Sequence, residues 1–170
     1  MLTLKRLEPL SCGEWWFVSL ADKNLVGRCG LFCGACGIYR GYKDGGTYRK
    51  GLADSLKVPQ EKIQCNGCQA LTAECWGNNC KIVQCLNAKG YKFCNECSDY
   101  FTYACKLFEQ LYEENLAEGI DLRANLARIK AGGVDAWLND VEQKYRCPVC
   151  RRPIPAQLHP RKCYHCGNDI

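Results

Sequence analysis

The chain has 170 residues, a formal charge of +5 and 16 cysteines. That length suits one domain with a small appendage, and the cysteine content demands either disulfides or metal. The charge alone argues nothing for nucleic acid: each zinc ion held by four thiolates carries −2, so three such sites would bring the formal +5 to about −1.

At the N-terminus, Lys5 and Arg6 precede no continuous apolar run, because Glu8, Pro9 and Glu14 interrupt it. Leu10-Ser11-Cys12-Gly13 lacks the hydrophobic segment that a lipoprotein signal requires. No stretch is long enough to span a membrane. A reducing, cytoplasmic setting is therefore expected, in which paired cysteines hold metal rather than disulfides. Residues 1–25, with Cys12 and the aromatic group Trp15, Trp16 and Phe17, read as an N-terminal extension.

Residues 26–118 read as a cysteine-rich metal-binding domain. Between Cys29 and Cys105 lie eleven cysteines, many glycines and little apolar periodicity, and metal crosslinks are the usual remedy for such a weak core. Three C-x₂-C pairs stand out: Cys33/Cys36, Cys65/Cys68 and Cys94/Cys97. Two residues between cysteines let one tight turn present both sulfurs to a single ion. Both histidines, His159 and His165, fall in the tail, so the central sites are nearly all sulfur, which suits tetrahedral zinc or an iron–sulfur cluster. Two four-sulfur sites are expected here, with the three pairs giving six ligands and Cys80 and Cys85 the other two. Cys29 and Cys105 stand in reserve. The pattern Cys29-x₃-Cys33-x₂-Cys36 has the spacing of radical S-adenosylmethionine enzymes, but Ala35 replaces their usual aromatic and the chain is too short for their barrel. Cys33-Gly34-Ala35-Cys36 has the thioredoxin spacing without the flanking strand and helix.

From about Ser98 the apolar residues Phe101, Cys105, Phe108, Leu111, Tyr112 and Leu116 have helical spacing, ending near Gly119. Residues 119–145 read as a helical connector of two short helices. Asp121 caps a stripe of Leu122, Leu126 and Ile129. Gly132-Gly133 breaks the chain, and Val134, Trp137, Leu138, Val141 and Tyr145 form a second stripe.

Residues 146–170 read as a zinc-ribbon-like module. Cys147-Pro-Val-Cys150 and Cys163-Tyr-His-Cys166 are two knuckles separated by twelve residues, the spacing of a four-cysteine site. Gly167 stands where a chain leaving a knuckle needs an unusual backbone angle, and Arg151 takes the equivalent place in the first knuckle. With all four sulfurs present, His165 reads as a surface histidine. Lys144, Arg146, Arg151, Arg152, Arg161 and Lys162 make the tail basic. Tyr145 and Tyr164 could stack on bases or pack on a partner.

The ordered motifs Arg28-Cys-Gly-Leu-Phe-Cys-Gly-Ala-Cys-Gly-Ile-Tyr39, Gln64-Cys-Asn-Gly-Cys68, Cys80 to Cys85, Phe93-Cys-Asn-Glu-Cys97 and Ala104-Cys-Lys-Leu107 resemble the prokaryotic cysteine-rich domain-of-unknown-function family numbered three-seven-nine-five. The stretch Arg123-Ala-Asn-Leu-Ala-Arg-Ile-Lys130 through Ala136-Trp-Leu138 into the Cys147–Cys166 segment looks like its longer members. The resemblance implies a small metal-binding protein without an established reaction.

The expected fold is thus a small, metal-stabilised, irregular and α-rich cysteine-rich domain, followed by a helical segment and the ribbon-like module. No nucleophile–base–orienter set is visible, so no catalytic residue is nominated. The expected function is non-enzymatic zinc binding at structural four-cysteine sites, with two or three ions. The basic C-terminal module would contact a protein or nucleic acid. The alternatives are an iron–sulfur protein for electron transfer or redox sensing, and a metal carrier or sensor.

Overall fold

The computed structural model describes residues 22–158 and 160–170. The expectations for Cys12, the N-terminal aromatic group and His159 lie outside the described residues. Among the described residues the regular structure is helical, and β-structure is limited to three isolated antiparallel bridges. No helix there is long and apolar enough to cross a membrane.

Six α-helices follow in chain order among the described residues. Helix α1 (Gly37–Asp44) and helix α2 (Gly46–Leu56) are joined at Gly45, whose φ of +65° breaks the helical path. Helix α3 (Lys81–Lys89) ends on Gly90, a left-handed residue whose N–H bonds the free carbonyls of Leu86 and Asn87. A short α4 (Ser98–Phe101) and the longer α5 (Lys106–Ala117) replace the single helix that periodicity suggests for this stretch. The interruption has a local cause. Tyr103 takes a φ of +58°, and the Asp99 carbonyl accepts from the N–H groups of both Ala104 and Cys105. Helix α6 (Leu122–Lys144) starts as expected at Asp121, whose carboxylate accepts the Ala124 N–H at 2.9 Å. It bends at Gly133, where φ is +82° and ψ is 164°, at the expected Gly132-Gly133 break.

One apolar cluster joins these pieces. Both limbs of α6 contribute to it through Leu122, Leu126, Ile129, Trp137, Leu138 and Val141, and the cysteine-rich region supplies Val26, Phe32, Leu86, Phe93 and Phe108. Phe32 meets the edge of Trp137 and stacks on Tyr145, each with ring centroids 6.1 Å apart. Two side-chain amides stitch the same seam. Asn95, inside the Cys94–Cys97 turn, donates to the Leu126 carbonyl at 3.0 Å, and Asn125 donates to the Gly30 carbonyl at 2.9 Å. Gly30 itself has a φ of +93°, and a Cβ there would lie 2.6 Å from the Leu122 carbonyl oxygen, so no larger residue permits this approach.

Candidate metal centres

The two C-terminal knuckles fold alike. In the first, the Cys147 N–H bonds the Arg152 carbonyl and the Ile154 N–H bonds that of Tyr145. In the second, the Cys163 N–H bonds the Asn168 carbonyl and the Ile170 N–H bonds that of Arg161. Each pattern spans the same offsets from its first cysteine, and each turn is closed by one antiparallel bridge, Arg146 to Pro153 and Lys162 to Asp169. Both chains leave the knuckle through a left-handed residue, Arg151 at +61° and Gly167 at +76°.

These turns bring four sulfurs together. Cys147, Cys150, Cys163 and Cys166 have their Sγ atoms within 4.8 Å of one another, the one such convergence of three or more metal-ligating groups among the described residues. Cys147 to Cys166 and Cys150 to Cys163 are each 3.8 Å. Backbone amides surround the sulfurs. The Cys150 N–H, with that of Val149 behind it, holds the Cys147 thiol below its ordinary range. The side-chain and backbone N–H groups of Asn168 bring Cys166 down to about 6, while burial pushes Cys163 up to about 11. Amide donors aimed at sulfur favour thiolate, the form that binds metal.

His165 is not the free surface side chain that the sequence suggests. Its ring is mostly buried, with Nε2 3.1 Å from the Pro153 carbonyl and 3.7 Å from the Asp44 carboxylate of α1. The neighbouring Tyr164 ring stacks on Tyr48 of α2 at 4.1 Å, and its hydroxyl donates to Asp44. Burial, then this carboxylate, raises the Tyr164 phenol, so it remains a donor. The knuckle's two middle residues therefore hold the tail against the α1–α2 hairpin.

The central cysteines are arranged less tightly. The Cys33 and Cys94 pairs form similar 3-10 turns, in which the Cys36 N–H bonds the Cys33 carbonyl at 3.0 Å and the Cys97 N–H bonds that of Cys94 at 3.2 Å. The Cys33 and Cys68 thiols influence each other, and Cys33 is raised while Cys68 is lowered to about 6. Cys29 faces Cys68 and Cys80, and its burial pushes it up to about 12. Cys65 lies against Cys75, a cysteine given no partner from the sequence, and near Cys36. Cys80 and Cys85 are separated: Cys80 caps α3, whereas Cys85 lies within the helix among Cys94, Cys97 and Cys105.

The family model described as "Protein of unknown function (DUF3795)" matches residues 25–110, half of the chain. The chain belongs to that family. The DUF3795 region ends within α5, so α6 and the four-sulfur tail lie beyond the matched span. Neither the curated proteins nor the solved structures yield a match.

Proposed function

We propose that this protein is a non-enzymatic zinc-binding protein whose C-terminal module is a zinc ribbon. The observation that carries the reading is the sulfur spacing. A tetrahedron with metal–sulfur bonds near 2.3 Å has sulfur–sulfur edges of about 3.8 Å. The two separations of 3.8 Å in the tail have that value. A multi-iron cluster spreads its cysteine ligands over several metal atoms and suits this spacing poorly. Cys147, Cys150, Cys163 and Cys166 would hold the ion, and the ion would supply a crosslink between two turns that otherwise share little apolar surface.

Four sulfurs close the coordination sphere, which favours a structural role over catalysis. The exposed Lys144, Arg151, Arg152, Arg161 and Lys162, with Val149 bare at the tip of the first knuckle, supply a basic surface for an acidic partner, a protein or a nucleic acid. Elemental analysis of the full chain, beside the Cys147→Ser/Cys163→Ser double variant, tests the metal assignment. The variant should contain one zinc fewer per chain. Equal zinc content in the two proteins would overturn the reading.

A further inference from the structure

Between α2, the Cys33–Cys36 turn and the second limb of α6 lies an open, mainly apolar groove of about 440 Å³. Its walls include Leu31, Phe32, Ile38, Leu52, Val141 and Tyr145. Leu56 and Trp76 also line it and stay bare, with 41% and 45% of their surfaces exposed. Tyr48, Leu52 and Gln157 are shared with a second hollow along α2, which runs out to Lys162 in the tail. Large apolar side chains bare at the mouth of an apolar groove mark a surface that something covers.

We propose that this groove is the docking site of the chain's own residues 15–20. That segment reads Trp-Trp-Phe-Val-Ser-Leu, a run of large apolar side chains broken by one serine and no charge. Burying such a run is favourable, and a cleft of this size takes a few large side chains rather than a folded domain. Reach supports the assignment. Lys23 pairs with Asp135 of α6 at 2.9 Å, and about 9 Å of helix separates Asp135 from Val141 in the groove wall. Leu20 stands three residues before Lys23 and Trp15 eight, so at about 3.3 Å per residue they reach roughly 10 and 26 Å from it. That range takes in the groove. So short a tether sets a local concentration of about millimolar, which favours the chain's own segment over a second copy or a free partner. Charge sets the direction: Glu14 precedes the apolar run on the side remote from Lys23, and the outer hollow carries Lys162. The docking is separate from the zinc reading, and its test reads amides and cross-links rather than metal.

The test is hydrogen exchange with peptide mass spectrometry on the full chain, beside a Leu56→Arg/Trp76→Ser variant. Both side chains are exposed, so the fold tolerates their replacement. In the unmutated protein, residues 15–20 should exchange at least about tenfold more slowly than a solvated chain, and the variant should lose most of that protection. Exchange at the solvated rate in the unmutated protein would overturn the docking, as would protection that the variant leaves unchanged. A Trp16→p-benzoylphenylalanine chain gives the second measurement. On irradiation it should cross-link within one chain to groove residues such as Leu52 or Trp76. Cross-links between chains would give the groove to a second copy, and cross-links to another part of the same chain would place the segment elsewhere. Either result contradicts the docking, as does the absence of any cross-link. If the double variant does not fold, the cross-link decides alone.

Discussion

Arg151 and Gly167 hold equivalent positions in the two C-terminal knuckles, and both are left-handed, at φ +61° and +76°. Only glycine takes this conformation freely; another residue pays roughly 1–2 kcal/mol, partly offset because glycine is looser in the unfolded chain. Arg151→Gly should therefore stabilise the tail by about 0.5 kcal/mol, and Gly167→Ala should destabilise it by about 1 kcal/mol. Zinc competition with a chelator, at fixed salt and pH, would detect both changes as shifts of opposite sign.

The two limbs of α6 hold the interior together. Leu126 is fully buried, and its carbonyl accepts from Asn95. Leu126→Ala should cost about 3 kcal/mol of unfolding free energy, measured by urea denaturation with zinc in excess. A loss well under 1 kcal/mol would mean that α6 does not share the core of the cysteine-rich region.

The tail docks through Tyr164. Tyr164→Phe retains the stack on Tyr48 and deletes only the hydroxyl that bonds Asp44. A hydrogen bond to a charged group is worth about 1.5–3 kcal/mol, so docking should weaken by about that amount. Hydrogen exchange should accelerate in α1 and α2, with zinc affinity in the tail unchanged. Unaltered exchange in both helices would show that the stack suffices.

The sequence made the tail legible because its ligands are local. Two C-x₂-C turns need only short-range backbone geometry, and that geometry appears in the matching bond patterns around Cys147 and Cys163. The Asp121 cap and the Gly132-Gly133 break are local as well. The neighbours of the central cysteines were not legible, since Cys105 comes to the pocket it shares with Cys94 and Cys97 only through the left-handed Tyr103, which no periodicity announces. Nor could spacing reveal that Asn95 and Asn125 carry hydrogen bonds between α6 and the cysteine loops. His165 reads as exposed because knuckle positions usually face solvent. Its burial depends on Asp44, 121 residues earlier in the chain.

X-ray absorption on native protein purified without oxygen tests the zinc assignment most directly. The edge should be that of zinc, with an all-sulfur first shell near 2.3 Å. An iron edge, a first shell containing nitrogen or oxygen, or metal-free protein with an ordered tail would contradict it.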